Sequence, residues 1–300
     1  MTTTDLYRID KARVKHSFNR AATTYDAAAV LQKEVRERML ERLALVKIAP
    51  DTILDAGSGT GQAGRLLQKR YPVSQLIQLD IALRMLEKGR AASSIKDKIN
   101  RLFGVPASRA VCADIESLPL SEASVGLAWS NLAIQWCNDL DRAFGEVNRV
   151  LQPGGLFMFS TFGPDTLKEL RAAASDDAAH VHVNRFIDMH DIGDALVRAG
   201  FSAPVLDVEH FVLTYDDVFG VMRDLKAIGA HNATEGRRRG LDGKGFLQAL
   251  ADRYEPFRHE GKLPATFEVV YGHAWKAEAT SRLEDGAAPI TLHRKKPHAR

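Results

Sequence analysis

The sequence predicts an α/β fold in which a mostly parallel sheet carries helices on both faces. Three observations predict it. Short apolar runs alternate with amphipathic stretches, the pattern of parallel strands joined by crossover helices. The first run opens into Asp55-Ala-Gly-Ser-Gly-Thr-Gly61, a glycine-rich turn that lets a ligand approach the main chain closely. The next two runs each close on a carboxylate, Asp80 and Asp114, as strand ends bordering a nucleotide-type site do.

The elements follow in order. Residues 11–26 are polar with isolated aromatics, Phe18 and Tyr25, and lead into a helix over 27–48, where Leu31, Val35, Met39, Leu43 and Val46 recur at three- and four-residue steps. Pro50-Asp51 ends it, and Thr52–Ala56 is a first buried strand followed by a helix over Gln62–Arg70. Strands are expected at 76–80, 109–113 and 124–130. A helix over 139–151, with Leu140, Phe144, Val147 and Leu151 on one side, stops at Pro153-Gly154-Gly155, and 156–161 is a fifth strand. Gly163-Pro164 starts a further helix, and a polar, His-containing loop runs to Asn184. A helix over 189–199 precedes a sixth strand at 205–213, and 266–275 is the seventh. The interval between these two strands is too long for a plain loop and is read as an inserted helical lid within 216–264. The organisation is thus residues 1–213 as N-terminal helices and core, 214–264 as the lid and substrate region, 265–276 as the last core strand, and 277–300 as a mobile tail.

Composition narrows the function classes. Forty-one Lys and Arg against 38 Asp and Glu leave a net charge of +3, so neither nucleic acid nor a membrane surface is demanded as a partner. Cys112 and Cys137 are the only cysteines and form no metal or redox pair, which fits a reducing compartment. Without a signal core or a membrane-length apolar run, the expected location is the cytoplasm. His180, His182 and His190 do not have a ligand spacing, and no metal is expected.

Gly57, Gly59 and Gly61 form Gly-x-Gly-x-Gly, a poorer match to the dinucleotide fingerprint than to a nucleoside site without a diphosphate on the helix. Asp80 is placed to accept hydrogen bonds from ribose hydroxyls. Asp55 either orients the glycine turn or holds an amino group, and the two roles can coexist.

Asp-x-Gly-x-Gly-x-Gly, Asp80-Ile81-x-x-x-Met85-Leu86, Asp114-Ile115 and Arg149-Val-Leu-x-Pro-Gly-Gly155 together resemble the ordered motifs of Rossmann-like class I S-adenosylmethionine (SAM) methyltransferases. That resemblance implies a seven-stranded sheet whose last strand is antiparallel and inserted beside the fifth. It also implies SAM as co-substrate and S-adenosylhomocysteine as product. The implied cofactor set is Asp55, Gly57, Ser58, Gly59, Gly61, Asp80, Ile81, Met85, Asp114, Ile115 and Asn131. Asp114 would accept the adenine amino group with Ile115 against the ring; a helix N-cap is the other reading of Asp114.

In such enzymes the fourth strand end faces the methyl group. Here it carries Ser130-Asn-Leu-Ala-Ile-Gln135-Trp136-Cys137, two neutral donors in place of the Asn/Asp-Pro-Pro-Tyr-like motif of amine methyltransferases. Neutral donors suit a carboxylate, which is ionised at pH 7 and needs only alignment. Tyr25, Gln135 and Trp136 are therefore the catalytic candidates, with plain core packing as the other reading of Trp136. Cys137 lines the site.

The segments from Phe18 to Asp26, 130–139, 166–171, 225–230 and 264–269 are similar to the malonyl-[acyl-carrier protein] O-methyltransferases of biotin synthesis. That resemblance implies methylation of the free carboxyl of a malonyl thioester on acyl-carrier protein or coenzyme A. An acidic carrier would meet Arg237, Arg238, Arg239 and Lys244, with Arg223 and Lys226 nearby, or the same run is simply a solvated face. Two related readings stand beside it: a methyltransferase of a small polycarboxylate such as aconitate, and a SAM-fold assembly factor or hydroxylase of respiratory-complex subunits.

Overall fold

The computed structural model describes residues 7–92, 106–174, 183–230, 232–237 and 244–278. Among them the sheet has seven strands in the order β3-β2-β1-β4-β5-β7-β6. These are β1 Thr52–Ala56, β2 Gln75–Asp80, β3 Arg109–Cys112, β4 Val125–Asn131, β5 Leu151–Phe162, β6 Phe201–Tyr215 and β7 Leu263–Lys276. Neighbours from β3 to β5 pair in parallel, and β7 runs antiparallel between β5 and β6. The class I sheet is therefore present, with its antiparallel strand beside the fifth. The strand order reverses between β1 and β4, the place where open α/β sheets bind ligands.

Both sheet faces are buried, so each central strand sends alternate side chains to two separate cores. Leu54, Phe157 and Phe159 join Phe144 and Val147 of one helix and Leu196 of another. Ile53, Leu127, Trp129 and Met158 join Val35, Met39 and Leu43 on the opposite face. Each such apolar side chain stabilises the fold by about 1.5–3 kcal/mol when fully buried.

The helices are α1 Lys11–Ala21, α2 Tyr25–Ala28, α3 Val30–Ala44, α4 Gln62–Arg70, α5 Leu83–Ala91, α6 Leu140–Val150, α7 Lys168–Ala173, α8 Met189–Arg198, α9 Val218–Ala227 and α10 Lys244–Tyr254. Several expectations are corrected. The polar opening is itself a helix, α1, capped by Asp10, whose carboxylate accepts from the Arg13 amide at 3.0 Å. Its buried side is Val14, Ser17 and Ala21, too small and polar to read as an apolar stripe. The single helix over 27–48 is two, broken at Ala29 (φ −80°, ψ 49°) and ended at Ala44. Pro153-Gly154-Gly155 does not separate helix from strand: Leu151 already pairs with Val125, and the glycines lie in an irregularity before Leu156 pairs with Leu127. No helix starts at Gly163-Pro164; a turn there precedes α7. β6 and its neighbour β7 are longer than expected; β6 is a half-exposed edge whose sequence lacks a continuous apolar run.

The insertion between β6 and β7 carries α9, α10 and a short 3-10 turn, Glu255–Phe257. Tyr254 is buried beneath it and donates to the Pro264 carbonyl at 2.8 Å. Glu169, also buried, accepts from the Thr266 amide at 3.0 Å and from its hydroxyl, pinning α7 to β7. The expected tail lies outside the described residues from residue 279 on, as do His180, His182, Arg238 and Arg239. Among the described residues no helix is long and apolar enough to cross a membrane.

Candidate functional site

The glycine turn is held by the neighbouring strand. Gly57 and Ser58 donate their amides to the Leu79 carbonyl at 2.8 and 2.9 Å, and Gly59 donates to Asp80 Oδ2 at 2.8 Å. Asp80 Oδ1 takes the Ala82 amide at 2.8 Å, so each carboxylate oxygen keeps a lone pair for a ligand hydroxyl. Gly57 is indispensable to this geometry: its φ is +78°, and a Cβ there would lie 2.2 Å from Ala133 Cβ.

One cavity runs from Asp80 and Met85 past Ile81, Asp114 and Ile115 to Trp136. Its acid-ended strands and apolar walls suit a nucleoside. Asp114 caps a turn rather than a helix, accepting from the Glu116 amide at 3.1 Å. Lys11 Nζ donates to the same Oδ1 at 2.9 Å and also pairs with Glu116, which leaves Asp114 Oδ2 for an amino group. Burial alone would depress the Lys11 ammonium, but its hydrogen bonds to Glu116 and Asp114 help lift it above its ordinary value. Cys137 is pushed up to about 12 by burial and is a protonated thiol, not a nucleophile.

A second cavity continues on the other side of Tyr25, Gly57 and Asn131 and is lined by Asp55, Ser58 and Arg36. Three buried polar atoms there have no hydrogen-bond partner among the described residues: Asp55 Oδ2, Ser58 Oγ and Arg36 Nε. A carboxylate acceptor, a hydroxyl and a guanidinium donor complement the ammonium and carboxylate of an amino-acid group. Burial first, and Asp80 second, push Asp55 up to about 7, against the Gly64 amide and Arg36. Burial likewise raises Asp80 to about 6. A cationic ligand group beside Asp55 relieves this cost by favouring the charged form.

Tyr25 is half-buried, and its phenol is raised above its usual value first by desolvation and then by Asp80 and Asp26, so it stays a donor. Asn131 is fixed by donating to the Gln32 carbonyl and accepting from Ser160 Oγ, each at 3.0 Å. The next residue, Leu132, has φ +49°, an uncommon backbone state for leucine that clusters at working sites. Ser160 and Gln135 hold it: Leu132 N donates to Ser160 Oγ at 3.0 Å, and Gln135 Nε2 donates to the Leu132 carbonyl at 2.7 Å. Gln135 therefore has one amide hydrogen committed and one left.

Trp136 meets Phe18 edge to face, with centroids 5.4 Å apart, and packs beside Ile9, Val14 and Ala233. It lines the nucleoside cavity and also a third, mostly apolar cavity beyond it, where Gln135, Phe162, Asn184, Leu225 and Phe267 contribute. The structure thus brings Tyr25, Asn131 and the glycine turn together on one side of Trp136, and places Gln135 on the other. Arg237 turns inward, donating to the Thr234 carbonyl at 2.8 Å, and its side chain is 16% exposed. His190 is exposed and bonded to Asp188 at 2.8 Å. Among the described residues, Asp165, His210 and Glu268 bring ligand-type atoms within 4.8 Å of one another on the surface, with Glu268 already accepting from the Asp165 amide.

Lys11 and Arg36 were missed in the sequence. Lys11 gave no signal because its partners are 103 and more positions away. Arg36 was hidden in a helix read for its apolar stripe, although a charge beside Val35 on a nearly buried face was the available clue.

A methyltransferase-domain family profile matches residues 54–159. Two solved structures share the fold: YcgJ from Bacillus subtilis (TM-score 0.54, 16% identity, 85% of this chain and 99% of that one) and the [4+2]-cyclase SpnF (TM-score 0.50, 20% identity, 82% and 81%). The second shows that the fold alone does not settle the chemistry. Malonyl-[acyl-carrier protein] O-methyltransferase of Methylovorus sp. is 69% identical over 96% of both chains, and that of Gallionella capsiferriformans 57% identical over 94% of this chain and 96% of its own. Identity at that level spans core and insertion alike, and the chain belongs to the malonyl-[acyl-carrier protein] O-methyltransferase family.

Proposed function

We propose that the chain methylates the free carboxyl of a malonyl thioester, with the SAM nucleoside between Asp80 and Asp114 and its amino-acid end at Asp55, Ser58 and Arg36. The observation that carries this reading is Trp136, which lines both the nucleoside cavity and the apolar cavity beyond it. When bound, SAM supplies a methyl group on a positively charged sulfur, which an ionised carboxylate can attack without a general base. Tyr25 and Cys137, both held protonated, are suited to donate or to line, not to take a proton. Gln135, through its remaining amide hydrogen, and Trp136 orient the acceptor oxygen, and the apolar walls exclude water. The inserted helices serve as the lid over this acceptor side.

The test is base-labile label from methyl-labelled SAM with malonyl-acyl-carrier protein, malonyl-coenzyme A, aconitate or no acceptor. Label on the malonyl thioesters is expected; label on aconitate alone overturns the substrate reading, and none on any acceptor overturns the activity.

The carrier is proposed to dock beside the lid. Arg237 is engaged within the fold, and the side chain of Lys244, like Arg238 and Arg239, is outside the described residues. Arg223 and Lys226 are exposed on α9, whose end is tied to the opening helices by Thr24 Oγ1 donating to the Ala227 carbonyl at 2.9 Å. Reversing both charges with Glu is expected to raise KM for the protein-borne substrate about tenfold and leave KM for malonyl-coenzyme A within about twofold. Steady-state kinetics on the two substrates check it; equal effects on both would remove α9 from the docking face.

A further inference from the structure

The mostly apolar cavity beyond Trp136 is also lined by polar groups that the methyl-transfer reading does not use; Thr166 and Asn232 are engaged within the fold, with Glu268 and Thr234, and Asn184 is the third. Asn184 is 8% exposed, lines this cavity, and its Oδ1 is buried without a partner among the described residues. An amide oxygen left so costs about 1–3 kcal/mol, which a ligand donor recovers on binding.

The chemistry of the acceptor restricts what that donor is. A malonyl group offers no donor: its carboxylate and its thioester carbonyl only accept. A carrier-borne acyl group has its nearest donor on the pantetheine arm, whose terminal amide N–H lies a short ethylene step from the thioester sulfur. The apolar lining residues, Leu170, Val183, Leu225 and Ile228 among them, suit methylenes and not charge.

We propose that this cavity is a binding site for the pantetheine arm and that Asn184 Oδ1 accepts the arm's terminal amide N–H. The inference rests on the malonyl thioester reading. Asn184 is then a specificity-determining residue for the carrier, acting equally on coenzyme A and on a carrier protein because both present the same arm. It anchors the thioester end while Gln135 and Trp136 orient the carboxylate end.

A one-atom change tests this. The malonyl thioester of N-acetylcysteamine carries the amide; that of O-acetyl-2-mercaptoethanol has the same shape with an ester oxygen in place of N–H. The wild-type protein is expected to favour the amide about tenfold in kcat/KM, through KM, because a site built to receive a donor rejects the analogue without it. In Asn184→Leu the preference is expected to fall to about onefold. Equal use of both thioesters by the wild type overturns the proposal, and so does a preference that survives in Asn184→Leu. Pantetheine alone, followed by ligand line broadening, reads the same contact without methyl transfer. Its loss in Asn184→Leu, with the melting temperature retained, supports the site, and equal broadening overturns it. If pantetheine binds in this Asn184-dependent way while no malonyl thioester is methylated, the arm site stands and the substrate reading falls.

Discussion

Gly57→Ala is expected to abolish SAM binding and to lower thermal stability. The backbone at +78° is left-handed, which costs a residue with a side chain about 1–2 kcal/mol. The new methyl would also meet Ala133 Cβ at 2.2 Å, and overpacking of that kind costs about 1–3 kcal/mol. Ala133 immediately precedes the 3-10 turn Ile134–Trp136, so relief of the clash moves the wall between cofactor and acceptor. Gly59→Ala is the contrast: its φ is +54°, but its Cβ would meet only Tyr25 Cε1 at 3.8 Å. Calorimetric titration with SAM and a thermal melt of both variants decide the matter. Equal losses would mean that backbone conformation alone, and not contact with Ala133, governs the site.

SAM affinity is expected to rise with pH through about 7 and to lose that step in Asp55→Asn. Burial and the nearby Asp80 push Asp55 up to about 7 from an ordinary 3.8. In the ligand-free fold this raised value contributes stability that is fully present below about pH 4 and is lost as pH rises through 7. The ligand acts with the opposite sign, because its ammonium favours the ionised carboxylate. Affinity should therefore climb up to about tenfold per pH unit below 7 and level off above 8. Titrations at pH 5.5, 6.5, 7.5 and 8.5 follow this, and a flat wild-type profile would remove Asp55 from the ammonium site. In Asp55→Asn, affinity at pH 8 should fall by about two orders of magnitude, as expected when a buried charge loses its partner.

The parts of the site legible in the sequence were those fixed by local chemistry. The turn at Gly57, Gly59 and Gly61 and the acids Asp80 and Asp114 announce themselves because a strand end, a glycine and a carboxylate occur within a few residues of one another. The sheet followed from the same regularity, since buried parallel strands are short apolar runs. The N-terminal helix was not legible, because its buried face is Val14, Ser17 and Ala21, and helix signals depend on an apolar stripe. Arg36 and Lys11 escaped for a different reason: their meaning lies in what the fold brings opposite them. Asn184 is the extreme case, an asparagine in a polar loop whose burial only tertiary structure creates. The helix expected through Ile48 failed at its end, where Leu45 is exposed and breaks the periodic face.

The short pairing of the chain's beginning with its insertion has a consequence for how the site comes into being. Asp10 donates its amide to the Ala233 carbonyl at 2.8 Å, Glu235 donates to the Arg8 carbonyl at 2.8 Å, and Ile9 bonds both ways to the Asn138 side chain. The helix that closes the nucleoside cavity is thus buttoned down by residues synthesised more than two hundred positions later. Contacts so distant in sequence form late, after the local helices and the first strand pairs. Lys11–Asp114 and Phe18–Trp136 can hold that helix earlier, but during synthesis its full set of contacts forms only once the insertion has left the ribosome. The cofactor site is thus completed late in synthesis, when the insertion joins the chain's beginning to residues 233–235.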